Sequence, residues 1–147
     1  MNKITQKEFD ELPATDGIKK CPAFTDYSGI KKFGEWCSFG ERCSFGEWCS
    51  FGEWCSFHKG CKAESIYWDK IYVPQNLTVI GRIYPTESAR KHWSERLSEE
   101  GIEIGNNCYE NIAQIVMPEI PRLLKLAKWI SVERWILESW LPDKESK

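Results

Sequence analysis

Residues 33–62 repeat every six positions, and that period constrains the fold more than any other feature of the chain. The first four units are Phe33-Gly34-Glu35-Trp36-Cys37-Ser38, Phe39-Gly40-Glu41-Arg42-Cys43-Ser44, Phe45-Gly46-Glu47-Trp48-Cys49-Ser50 and Phe51-Gly52-Glu53-Trp54-Cys55-Ser56. A degenerate fifth unit follows, Phe57-His58-Lys59-Gly60-Cys61-Lys62. A helix repeats near 3.6 residues and would scatter the Phe positions around its axis. A strand would put Phe and Cys on one face, but five units of unbroken strand would run roughly 100 Å. The strand must therefore turn at regular intervals, and the Gly after each Phe is the expected place for the turn. A β-solenoid results, with Phe33, Phe39, Phe45, Phe51 and Phe57 inside together with Cys37, Cys43, Cys49, Cys55 and Cys61. Glu, Trp and Ser then point outward.

The F-G-E-W-C-S unit resembles the hexapeptide of left-handed β-helices, in which three units make one triangular coil. Read from Cys, C-S-F-G-E also resembles the pentapeptide repeat of four-sided right-handed β-helices, kept as the second choice because the period is six. The resemblance to the three-sided form implies that Phe33 stacks with Phe51, Phe39 with Phe57, Cys37 with Cys55, Cys43 with Cys61 and Trp36 with Trp54. Five units fill fewer than two coils. The preceding segment fits the same phase loosely, with Cys21 and Tyr27 at the Phe place and Thr25 and Lys31 at the Cys place. A solenoid this short needs its ends covered.

Seven cysteines would suggest a disulfide framework in a secreted protein. The N-terminus, MNKITQKEFDEL, has no apolar signal-like run, and no stretch has the length of a membrane span. The expectation is a cytoplasmic protein with reduced thiols, Cys serving as the small apolar residue beside Phe. Spacing by six lacks the tight pairs of a zinc site, so no metal and no cofactor is expected. The 20 Lys+Arg and 22 Asp+Glu give a net charge of −2. That balance argues against nucleic acid as the main ligand and against a membrane surface.

Three segments are expected: residues 1–32 as an N-terminal cap, 33–62 as the coil and 63–147 as an α+β module ending in helices. The fold class is α+β, a short β-solenoid capped by that module. Ile66-Tyr67-Trp68, Ile71-Tyr72-Val73, Leu77 to Tyr84 and Ile102-Glu103-Ile104 read as strands. Thr86 caps a helix with Ala89, Trp93 and Leu97 on one face. Ile112, Ile115 and Val116 form a stripe stopped by Pro118. Pro121 opens a helix that buries Leu123, Leu126, Ala127 and Ile130. Ser131 caps the last helix, with Val132, Trp135, Ile136, Ser139 and Trp140 as its apolar stripe.

Trp36, Trp48 and Trp54 fall at outward places, and exposed aromatic residues on a rigid scaffold anchor interfaces. The alternative is that they pack beneath the helices or the N-terminal segment. Glu35, Glu41, Glu47 and Glu53 share the outer surface with Arg42, and solvated surface charge is the simpler reading. His58 and His92 are the only histidines. No catalytic motif joins them, Cys108 stands alone, and Arg82, Arg90, Lys91 and Arg96 form a basic group around the first helix. The T-D-Y-S-G-I segment (25–30), the repeat and E-R-W-I-L-E-S-W (133–140) resemble small phage- or prophage-encoded proteins. That resemblance implies a non-enzymatic inhibitor of a host protein or complex, such as an anti-CRISPR or other anti-defence protein, binding through the Trp and Glu of the coil. A hexapeptide-type enzyme or small-ligand binder with His58 or His92 at a subunit cleft is the rival. A module that assembles into a homo-oligomer through the coil end is the third reading.

Overall fold

The computed structural model describes residues 2–69 and 74–141. Its centre is a β-solenoid of about four turns, followed by a helical C-terminal region. The strands are β1 (Asn2–Lys3), β2 (Ala14–Thr15), β3 (Ile18–Cys21), β4 (Thr25–Asp26), β5 (Lys32–Gly34) and β6 (Cys37–Phe39), then β7 (Cys49–Phe51), β8 (Ser56–Phe57), β9 (Cys61–Ala63), β10 (Ile66–Trp68), β11 (Leu77–Val79) and β12 (Ile83–Pro85). They build three faces. One carries β3, β6 and β8, with β2 added antiparallel at its edge. Another carries β5, β7, β10 and β12. The third joins β1 and β4 to β9 and β11 through the bridges Asp26↔Ser44 and Ser44↔Lys62.

Within the repeat, paired residues lie three units apart, as in Lys20↔Ser38 and Ser38↔Ser56. The rings inside follow from that register. Phe33 stacks on Phe51 at 4.8 Å, Phe39 on Phe57 at 5.3 Å and Tyr27 on Phe45 at 5.4 Å. Successive units meet edge to face, Phe39 to Phe45 at 4.9 Å and Phe45 to Phe51 at 5.2 Å. Both arrangements suit the ring quadrupole. Tyr27 and Cys21 hold the Phe place upstream and Thr25 the Cys place, all buried. Lys31 does not: it is exposed, and Ile30 turns inward in its stead, because an ammonium in this core would have no partner.

The turn is not where the sequence places it. The left-handed residue in each unit is the fourth, not the Gly: Trp36, Arg42, Trp48 and Trp54 have φ of 57°, 57°, 58° and 64°, and Gly60 has 80°. The second-place glycines serve close approach instead. A Cβ on Gly40 would lie 2.7 Å from the Ala23 backbone, one on Gly46 2.7 Å from Ser28 O, and one on Gly52 2.8 Å from Gly34 O. Gly34 alone of these four is left-handed, beside the register shift in β5.

The cysteines are thiols, and all are buried. Each repeat thiol donates to a first- or second-place carbonyl: Cys37 to Phe33 O at 3.1 Å, Cys43 to Gly40 O at 3.1 Å, Cys49 to Gly46 O at 3.7 Å, Cys55 to Gly34 O at 3.2 Å and Cys61 to Gly40 O at 3.3 Å. A weak donor of small volume suits that place. A bond to Cys21, together with burial, pushes Cys37 up to about 12, and burial pushes Cys49 up to about 12. Cys43 is raised by its bond to Cys61 and by burial.

Helix α1 (Gln6–Asp10) covers the upper end. Thr5 and Glu8 form its capping box, and Phe9 is buried edge-on to Phe33 at 5.2 Å. At the lower end Trp68 meets Phe57 at 5.7 Å and Phe51 at 6.1 Å. The parallel ladders continue past Lys62 to Pro85 with shorter coils, Ser50↔Tyr67↔Tyr84 being 17 residues apart and Lys62↔Thr78 16 apart. Leu77 to Tyr84 is therefore two strands around a corner at 80–82, not one. Ile102 and Ile104 are buried, but no strand forms there. The expected strand at 71–73 and residues 142–147, with the charged stretch Asp143 to Lys147, lie outside the described residues.

Helix α2 (Glu87–Ser98) has Thr86 as its N-cap and buries Ala89, Trp93 and Leu97. Helix α3 (Tyr109–Val116) buries Ile112 and Val116 but leaves Ile115 partly exposed. A 3₁₀ turn, Met117–Glu119, leads to α4 (Ile120–Leu124). Because α4 ends at Leu124, Ala127 and Ile130 are exposed rather than on a buried face. Helix α5 (Ser131–Ser139) has Ile130 as N-cap with no side-chain cap, so Ser131 does not cap it. Its buried face holds Glu133, Ile136 and Leu137, while Val132 and Trp135 face outward. Glu133 sets that rotation: it accepts from Arg96 at 2.6 Å and 2.9 Å and lies 3.1 Å from His92 Nε2. A buried carboxylate needs these partners, and they stand on α2.

Candidate functional site

The fourth-place residues define the three edges of the coil. The fold demands a left-handed backbone there, which for an L-residue costs roughly 1–2 kcal/mol relative to the right-handed form. Gly60 meets the demand without a side chain. Tryptophan at this place is thus more than the backbone requires.

One edge carries Trp36 and Trp54, whose rings stack at 5.2 Å with planes 17° apart. Trp36 is 44% exposed and Trp54 56%. Their backbones are tied rung to rung, with Trp36 N–H donating to Glu53 O at 2.9 Å. Glu35 and Glu53 precede the two indoles, and both are exposed. A second edge carries Phe24, Arg42 and Gly60, with Glu41 and Lys59 beside them, and Arg42 N–H donates to Lys59 O at 3.0 Å. The third carries Trp48, 46% exposed, which meets Tyr67 at 5.7 Å and Tyr84 at 5.6 Å. Tyr67 and Tyr84 are themselves 6.3 Å apart. Next to Trp48, the Lys31 ammonium donates to Glu47 O at 2.7 Å.

The structure thus brings Trp36 and Trp54 together and leaves Trp48 on a separate edge. All three pack on aromatic neighbours of the coil surface. The Tyr67–Tyr84 part of the third cluster carries no repeat signal. Its one sequence cue is the outward middle residue of each apolar-Tyr-apolar strand. Among the described residues none of Glu35, Glu41, Glu47 or Glu53 enters an ion pair.

The remaining candidates have local partners. His58 Nδ1 is 2.7 Å from Phe39 O, and His92 pairs with Glu133. The basic group around α2 is largely engaged inside the C-terminal region: Arg82 with Glu110 at 3.0 Å, Arg90 with Gly105 O at 2.9 Å, Arg96 with Glu133. Cys108 takes a 3.6 Å contact from Arg82. A cleft of about 460 Å³ lies between Cys55, Phe57, Trp68, Asn76 and Trp135, and another of about 560 Å³ lies between Phe9, Lys19, Lys32 and Phe33. Neither His lines either cleft. No group of three or more His, Cys, Asp or Glu among the described residues is placed to hold a metal ion. No helix among the described residues is long and apolar enough to cross a membrane.

Comparison with protein-family models, curated proteins and solved structures finds no match to this chain.

Proposed function

We propose that the chain is a non-enzymatic protein-binding module whose coil edges present the binding side chains. The observation that carries this reading is the combination at the fourth place. Trp36, Trp48 and Trp54 stand in a strained left-handed conformation, about half exposed, where glycine and arginine serve the same backbone. Strain held at exposed aromatic residues points toward function rather than folding. Trp, Tyr and Arg are also the residue types that dominate binding hot spots. The three-faced coil supports the left-handed hexapeptide form over the four-sided one. The partner class carried by the phage resemblance is a host protein, with occlusion of its surface as the mode of inhibition.

The test uses Trp36→Arg with Trp54→Arg, because Arg42 already adopts this corner at φ 57°. Proteins captured from host lysate by the parent chain, and lost by the double variant at unchanged circular dichroism, would support the reading. Unchanged capture by the folded variant would remove this edge from the interface.

A further inference from the structure

We propose that the cleft beside α1 binds a ligand through a chain of phosphates, the group shared by nucleotides and inorganic oligophosphates. The cleft exists because the upper end of the coil is finished unevenly. Strand β2 extends the face of β3 and β1 extends that of β4, whereas β5 ends its sheet with no added strand among the described residues. Helix α1 covers that end instead, with Phe9 edge-on to Phe33. A space of about 560 Å³ is left between α1, Lys19 of β3 and the start of β5. A volume of that size is ordinary for a small-molecule site.

The lining sets Lys19, Lys31 and Lys32 against one carboxylate, Asp10. None of the three lysines enters an ion pair among the described residues. Two are held by backbone carbonyls. Lys19 Nζ donates to Phe9 O at 2.9 Å and lies 4.3 Å from the centre of the Phe9 ring, and Lys31 Nζ donates to Glu47 O at 2.7 Å. An ammonium has three donors, so each keeps two for other acceptors. The Asp10 carboxylate accepts from the Gln6 amide at 3.0 Å, and the same amide reaches Lys32 O at 3.4 Å. The acid of the lining is thus engaged by an amide rather than by a lysine. Glu8 and Glu35 are close in sequence, but Glu8 belongs to the capping box and Glu35 enters no ion pair among the described residues. No arginine lines the cleft. A guanidinium fork matches a planar carboxylate, whereas compact ammoniums with rotatable donors suit the tetrahedral oxygens of phosphate.

Isothermal titration of the full chain with pyrophosphate, ADP and citrate tests the site. Pyrophosphate and ADP should each bind about tenfold or more tightly than citrate, whose carboxylates bring comparable charge. Tighter binding of ADP than of pyrophosphate would assign a nucleoside-bearing ligand, and the reverse an inorganic one. Lys32→Gln changes an exposed side chain that makes no bond of its own among the described residues, so the fold should be kept. It should weaken pyrophosphate binding by about tenfold, and Lys19→Gln with Lys32→Gln should abolish it. Lys20→Gln, at the next position of β3 but outside the lining, should leave binding unchanged. Absence of pyrophosphate binding, equal binding of citrate, full retention by the Lys32→Gln protein, or an equal loss from Lys20→Gln would overturn the proposal.

Discussion

Gly46→Ala separates a glycine needed for turning from one needed for close approach. Gly46 does not have a left-handed backbone, so alanine is conformationally acceptable there and should gain roughly 0.4–1 kcal/mol by restricting the unfolded chain. Against that, the new methyl would sit 2.7 Å from Ser28 O and 3.2 Å from Ser28 Cα. Ordinary contact begins near 3.4 Å, so the two coils must part by about 0.7 Å at this rung. The bonds on either side are short, Tyr27 N–H to Ser44 O at 2.7 Å and Ser50 N–H to Lys31 O at 2.8 Å. The same opening would lengthen them toward the limit of useful geometry. Overpacking of this kind costs about 1–3 kcal/mol, and the upper half applies because the obstacle is backbone. The net expected loss is about 2 kcal/mol, a fall in Tm of about 6 °C for a chain of this length. Gly34→Ala is the control: open space surrounds its Cβ but φ is 75°, so it should lose only the left-handed penalty of about 1 kcal/mol. Urea and thermal unfolding followed by circular dichroism measure both. A Gly46→Ala protein as stable as the parent would refute the close-approach argument.

Two further outcomes follow from buried ionisable groups. Burial alone would raise Glu133, but Arg96 and His92 hold its carboxyl below the ordinary carboxylate range. Its contribution to stability is therefore present above that range and lost as pH falls through it. Glu133→Ala should lose about 3 kcal/mol at neutral pH, near the low end for a broken buried pair because Arg96 and His92 can reach water. It should also flatten the acid limb of stability against pH in urea titrations. At the alkaline end, Cys37 and Cys49 are held near 12 in the fold against an ordinary value of 9. Unfolding then releases protons between pH 9 and 12, so stability is whole below pH 9 and falls above it. The slope is about 1.4 kcal/mol per pH unit for each thiol, and Cys49→Ala should remove one such increment.

The period of six was enough to read a coil, because only a strand that turns at regular intervals keeps Phe and Cys inside. Three sides, and with them the stacking partners Phe33–Phe51 and Trp36–Trp54, came from the resemblance to hexapeptide β-helices. The role of Gly was not legible, since it depends on how closely one coil lies on the next, a distance that no single unit encodes. The coils through β10, β11 and β12 escaped the template because they run 17 or 16 residues and carry Ile66 and Trp68 where the repeat has Cys and Phe. The Tyr67–Tyr84 part of the aromatic surface was hidden for the same reason. On α5, apolar spacing pointed Val132 and Trp135 inward. The pairing of Glu133 with side chains on α2, some forty residues earlier, overrode that spacing. Local periodicity carries no information about such a partner.

Thermal unfolding of fourth-place and first-place variants, compared side by side, addresses the claim that the coil's fold and its binding side chains occupy separate places in each unit. Trp36→Arg with Trp54→Arg keeps the corner conformation that Arg42 already adopts, and should lower Tm by only a few degrees. Phe45→Ala opens a cavity between Tyr27, Phe39, Phe51 and Phe57, and should lose about 3–5 kcal/mol, or roughly 9–15 °C. Equal losses from the two would contradict the account, since the tryptophans would then belong to the core of the fold rather than to its surface.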